Sequence, residues 1–449
     1  MPGTLPVGPY KQIPIGNGRL APFYMIPFDK RGKCKAPLTR NNLLETAQSG
    51  SFSDVFLFSH GWNNDWPTAT GRYEGFISAF QSVKPPDGPL EDPDYRPLLV
   101  GISWPSTILV MPWESGPQLA ATGGGTAVTD KTVQAWQAEL DLVADLLPED
   151  QIDEFYRIAN DEREMSELDA HKLAEFLAPL YGNADDPDEA AGDAPTADDL
   201  VEFWRGPLLD AMSDDAGSPA TGQPVPAGLL PSLPDPRSAI RTFTVWKMKD
   251  RAGSVGATGV AKLLNDIRVS APGARTHLVG HSYGAKVVLS AVCAPDHFDP
   301  PVDSMLLLQP AVNGFCFSDN VAGQGFAGGY RRALERVRQP ILSTYSRHDM
   351  PLTKAFHLAL RRKTDLGETR IAAFDAPSRY AALGGFGPRG CSPTECKPVD
   401  INSVGVPYPL VGDTPGIYGV RGDEAISGHG DIVNPETAWA LYCLVTADR

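Results

Sequence analysis

The feature that most constrains this chain is a set of short apolar runs in which polar residues do not alternate. Residues 21–28, 54–59, 97–103, 276–280, 304–308, 341–346, 369–374 and 416–426 each read as a strand bounded by turn residues. A strand with one face in water alternates; one that is apolar on both faces belongs in a parallel sheet covered on both sides. Helical stretches lie between these runs, at 239–267, 285–293 and 435–445. Strand and helix in alternation predict an α/β fold, with a mostly parallel central sheet and helices on both faces.

One segment breaks the rhythm. Residues 114–238 contain no strand pattern. Trp136, Leu140, Val143 and Leu147 fall on one face of a helix, and so do Leu173, Phe176, Leu177 and Leu180. The acidic, Ala-rich stretch 183–199 and the Pro-rich stretch 218–236 read as loop and linker. The chain has 449 residues, more than a single core ordinarily holds. The expectation is a core from 1–113 and 239–449, with 114–238 inserted as a helical cap or lid.

Charge and composition narrow the partners. There are 39 Lys and Arg against 55 Asp and Glu, a net charge of −16, with no compensating basic run. A phosphate-tracking surface needs clustered cations, so nucleic acid and anionic membrane surfaces are not expected partners. No run of about 18 apolar residues suggests a membrane span. The first twenty residues lack the basic start and apolar core of a secretory signal, which points to the cytoplasm. The oligomeric state is not legible. The six cysteines are scattered; Cys391 and Cys396 are close enough for a local disulfide, and the spacing leaves that pairing open. No second Cys or His pair stands near them at zinc-ligand spacing.

The chemistry concentrates at strand ends. Residues 276–279 run into Gly280-His281-Ser282-Tyr283-Gly284, and a helical stretch follows. A serine at a tight strand-to-helix turn exposes its hydroxyl, and the positions two before and two after it must be small. The pentapeptide alone is weak evidence; the strand before it and the helix after it give it meaning. Ser282 is the candidate nucleophile. Residues 54–59 lead into His60-Gly61-Trp62-Asn63-Asn64. Acyl transfer requires two fixed N–H donors for the developing oxyanion. The backbone N–H groups of Tyr283 and Trp62 are the candidates.

Asp349 follows the strand run 341–346 and is the candidate acid, with Asp375 and Asp296 in reserve. His348 stands next to it. His429 lies between Gly428 and Gly430, just before Asn434-Pro435, a cap and first position for the last helix. It is the candidate base. His60, His277 and His281 lie near the expected site on or beside strand ends and read as structural; His171, His297 and His357 lack such a setting. No dinucleotide fingerprint, phosphate loop or zinc-helix motif appears, so no cofactor or metal is expected.

These residues resemble the alpha/beta-hydrolase superfamily. The elbow 280–284, the strand-end His60-Gly61-Trp62, the late His429 and the order Ser, Asp, His carry the resemblance. Residues 101–106, ending Trp104-Pro105-Ser106, are similar to a turn of one bacterial branch. The resemblance covers 1–113 and 239–449. It implies the alpha/beta-hydrolase fold and a Ser282–His429–Asp349 mechanism through an acyl-enzyme, without metal or organic cofactor. A serine at the elbow distinguishes the chain from relatives with an aspartate there. The substrate expected is a small carboxylic ester. Trp104, Trp113, Trp136 and the apolar run 108–111 fall near a mouth suited to a partly apolar group. The same triad serves acyltransferases, thioesterases and peptidases, and a non-catalytic binding protein could retain the fold.

Overall fold

The computed structural model describes residues 7–62, 64–106, 140–141, 143–144, 146–161, 165–181, 196–204, 236–323, 325–356, 381–411 and 416–449. The chain divides into two compact units. Residues 1–106, 249–349 and 381–449 form the first, and 107–248 with 350–380 the second. The expected insertion 114–238 falls within the second unit, which also takes up 350–380.

The described residues of the first unit build a nine-stranded sheet. In chain order its strands are β1 (Lys11–Gly16), β2 (Arg19–Pro27), β3 (Asp54–Ser59), β4 (Pro97–Ser103), β5 (Arg275–His281), β6 (Ser304–Leu308), β7 (Ile341–Tyr345), β8 (Cys396–Asp400) and β9 (Ile417–Arg421). They lie in the order β1-β2-β4-β3-β5-β6-β7-β9-β8. Only β1 and β2 pair antiparallel; every other neighbouring pair is parallel. The chain is therefore α/β with a mostly parallel sheet.

All six residues of β3 and all five of β6 are buried, as strands covered on both faces must be. Phe56 and Phe58 stack beside Tyr73, Phe76 and Phe80 of the helix Trp66–Ser82. Those three recur at helical spacing, a signal present in the sequence for a helix the strand pattern did not predict. Asp65 caps that helix, its carboxylate accepting from Thr68 N–H at 2.8 Å. The helix Pro37–Ser49 was likewise not anticipated. The last helix, Pro435–Thr446, is buried through nearly its whole length.

Two stretches differ in extent from the sequence reading. The helical stretch 239–267 is two helices, Pro236–Val255 and Ala261–Ser270, joined by a wide π turn. At that turn Gly256 lies against the Val287 carbonyl, where a Cβ would come within 2.3 Å. The run 416–426 is a strand only to Arg421, because its partner β7 ends at Tyr345; Gly422 N–H donates to the Tyr345 carbonyl and the chain turns there. The expected strand 369–374 lies outside the described residues.

In the second unit the described helices include Glu149–Ala159, Glu167–Leu177 and Ala197–Trp204. Phe155, Leu173, Phe176, Leu177 and Trp204 are buried. Leu140, Val143 and Leu147 are buried too, as their spacing predicts; Trp136 lies outside the described residues. Residues 197–199 belong to a helix and not to the expected loop. Thr196 and Asp199 cap each other's N–H groups there and start the helix early. The remainder of 183–195 and residues 218–235 lie outside the described residues. No helix among the described residues is long and apolar enough to cross a membrane.

Candidate active site

The candidate residues follow the C-terminal ends of β3, β5, β7 and β9, strands within one stretch of the sheet that also includes β6. β5 delivers Ser282 directly into the helix Tyr283–Cys293, two residues earlier than the apolar run alone indicates. Ser282 has φ 54° and ψ −125°, outside the conformations open to most L-residues. Its N–H donates to the Leu308 carbonyl, and its own carbonyl accepts from Ala311. The turn is held from both sides, which is what keeps a strained residue in place. The flanking glycines are required sterically. A Cβ on Gly284 would lie 2.1 Å from the Ser59 carbonyl oxygen, and one on Gly280 would lie 2.6 Å from Ala285 Cα.

Ser282, His429 and Asp349 meet. Asp349 is completely buried. Its Oδ2 lies 2.7 Å from His429 Nδ1, and His429 Nε2 lies 2.8 Å from Ser282 Oγ. With the Nδ1–H donating its hydrogen bond to the carboxylate, the Nε2 lone pair faces the serine hydroxyl. His348, next to Asp349 in the chain, is exposed to solvent and takes no part. Asp296 is exposed beyond the end of the helix Tyr283–Cys293; Asp375 and His357 lie outside the described residues.

The loops that carry Asp349 and His429 are tied together. Ser346 Oγ donates to the Ile426 carbonyl at 2.9 Å, and Asp431 accepts from both the N–H and the hydroxyl of Ser427. Asn434 caps the last helix through Thr437 N–H, with Pro435 at its first position. Two further side chains reach His429 itself. Gln309 Nε2 donates to the carbonyls of Gly428 and His429, at 3.0 and 3.1 Å. His281 Nε2 donates to the same His429 carbonyl at 2.9 Å. The sequence gives no signal for Gln309, a lone glutamine after an apolar strand.

Opposite the elbow, Gly61 lies against Ser282; a Cβ there would be 2.7 Å from Ser282 Cβ. Trp62 follows, half-buried. Tyr283 is the first residue of its helix, at the positive end of the helix dipole. The loop after β3 is built on the residues after β4. Trp104 stacks on His60, with ring centroids 5.5 Å apart, and its indole N–H donates to the His60 carbonyl. Ser106 bridges to the N–H and carbonyl of Asn64. Trp104 is 2% exposed. It therefore supports the loop from beneath and does not line a mouth. Trp113 and residues 108–111 lie outside the described residues.

Two of the structural histidines are held neutral. Burial pushes the His60 ring down to about 4. Burial, and after it the neighbouring His429, push His281 well below the usual histidine range. The His277 expectation needs correction in one respect. It is structural, but it sits four residues before His281 on β5, about 13 Å along the strand from the elbow. There His277 Nδ1 meets Ser304 Oγ at 2.7 Å and Nε2 meets Asp54 Oδ1 at 3.0 Å. Arg449 pairs with the same carboxylate.

Among the described residues no group of three or more His, Cys, Asp or Glu side chains is placed to hold a metal ion. Cys391 and Cys396 form a disulfide, settling the pairing the spacing left open. Compared with protein-family models, with curated proteins and with solved structures, the chain matches none.

Proposed function

We propose that this protein is a serine hydrolase of the alpha/beta-hydrolase superfamily that cleaves a carboxylic ester. The observation that carries the reading is the unbroken path from Asp349 through His429 to a serine on a strained elbow. Ser282 Oγ attacks the acyl carbonyl while His429 Nε2 takes its proton. Asp349 keeps the imidazole in the required tautomer and stabilises its positive charge. The oxyanion falls to the N–H groups of Trp62 and Tyr283. The protonated His429 then gives its proton to the leaving alcohol. Water, activated by the same histidine, releases the acyl group from Ser282. The same residues would serve transfer to another acceptor, so the products define the reaction.

A fluorophosphonate probe tests the reading. The wild type is expected to be labelled on the peptide holding Ser282, and Ser282→Ala and His429→Ala are expected to remain unlabelled. A folded wild type that takes no label would sink it. Aryl and acyl esters of graded length, with free acid and transfer product assayed separately, then decide substrate and acceptor.

A further inference from the structure

We propose that Gln309 and His281 are positioning residues, a two-donor clamp on the main chain of His429 that aims its imidazole; the inference rests on the reaction proposed above. His429 stands between Gly428 and Gly430. Glycine neighbours give a loop the greatest backbone freedom, whereas a general base must be held within about 0.5 Å of its working position. Ser427 and Asp431 tie the ends of the segment to each other, and the His429 carbonyl between them is left for the surrounding fold to hold.

Gln309 and His281 supply it from two strands. A carbonyl oxygen has two lone pairs. On His429 they meet His281 Nε2 at 2.9 Å and Gln309 Nε2 at 3.1 Å. Gln309 also donates to the Gly428 carbonyl at 3.0 Å, so it grips both peptide groups leading into the base. Gln309 is itself pinned through its main chain. The residue is fully buried, it has φ 38°, in the left-handed region, and its N–H donates to Thr344 Oγ1 at 3.0 Å. A buried non-glycine residue held in that conformation signals a constraint that the surroundings enforce. His281 is pinned as the last residue of β5, beside the nucleophile. With its Nε2 proton committed to His429, its Nδ1 has no hydrogen-bond partner. A histidine serving only to fill space would not require its one proton to point at the base loop.

The sheet order explains the placement. β5 carries the nucleophile, β6 leads to Gln309, and β7 leads to the acid, and these three strands are neighbours. Gln309 therefore leaves the sheet between Ser282 and Asp349, where a donor can reach the loop that must span them.

The test uses Gln309→Met, which keeps length and loses both N–H groups, and the pair His281→Leu and His281→Gln, of which only the second keeps a donor. Three readouts are taken on folded protein: the rate of fluorophosphonate labelling, kcat and KM on an aryl ester, and the NMR resonance of the His429 Nδ1 proton. Gln309→Met is expected to lose about 10- to 100-fold in labelling and kcat with KM within about two-fold. The Nδ1 resonance is expected to move or broaden. His281→Leu should behave likewise, and His281→Gln should recover most of the rate. Wild-type rates and an unmoved resonance in Gln309→Met, or equal rates in the two His281 variants, would overturn the clamp and leave the hydrolase reading standing. If Gln309→Met does not fold, the His281 pair decides. An unlabelled wild type would remove the hydrolase reading instead, and the resonance would still report whether the clamp aims the ring.

Discussion

Ser304, His277 and Asp54 carry the same three functional groups as Ser282, His429 and Asp349, at similar hydrogen-bond distances. Environment separates them. Ser304 lies within a strand, is fully buried, and its Asp is already paired with Arg449. Ser282 sits on a strained turn at a strand end, where a hydroxyl projects from the sheet. Ser304→Ala is therefore expected to leave fluorophosphonate labelling unchanged, which mass mapping of the labelled peptide checks. His60 gives a second prediction at this scale. Its folded pKa of about 4 lies below the ordinary 6.5, so the unfolded chain binds the proton first as pH falls. The stability this provides is complete above about 6.5 and lost on descent to about 4, on the order of 3 kcal/mol. Melting temperatures across that range should fall, and the slope should be shallower in His60→Phe. Both arguments require the fold: the residue types alone do not distinguish the two sets.

Among the elements, strands buried on both faces were legible and edge strands were not. β3, β4 and β6 coincide with the apolar runs that predicted them. β1 and β8 lie at the two edges of the sheet, are mostly exposed, and contain Pro14 and Pro398. An edge strand needs neither apolar faces nor every N–H, so it carries proline and no burial pattern. The start of the last helix was legible because capping chemistry is local. Asn434→Ala removes the oxygen that accepts Thr437 N–H, at a cost of about 1 kcal/mol. Chemical denaturation should show a lower midpoint with an unchanged slope. Because the cap closes the segment that carries His429, the probe should also react more slowly.

Across the molecule, the buried Asp54 joins β3, β5 and the final residue, Arg449. Burial pushes its carboxyl up, but hydrogen bonds from His277, Arg449 and Ser53 prevail and hold it down to about 2. Its contribution is thus present above the ordinary 3.8 and lost as pH falls toward 2. Arg449→Met leaves the carboxylate with fewer donors. Its acid unfolding, followed by circular dichroism, should shift to higher pH than that of the wild type. A destabilised variant whose acid midpoint did not move would show that Arg449 acts through packing alone.

What the sequence by itself determined is local. Runs apolar on both faces dictate buried parallel strands, two glycines bracket a serine because backbone must pass close on either side, and Asn-Pro starts the final helix. Such features depend on neighbours a few residues away, and a single chain displays them. The tertiary structure alone decided that Trp104 supports a loop from beneath, that His277 lies away from the elbow, and that Gln309 reaches His429. Those outcomes follow from strand order, which brings residues 282, 309, 349 and 429 together beyond the C-terminal ends of β5, β6, β7 and β9, consecutive strands inside the sheet. Contacts between residues so far apart depend on how the strands are ordered, and no local pattern of residues encodes that order.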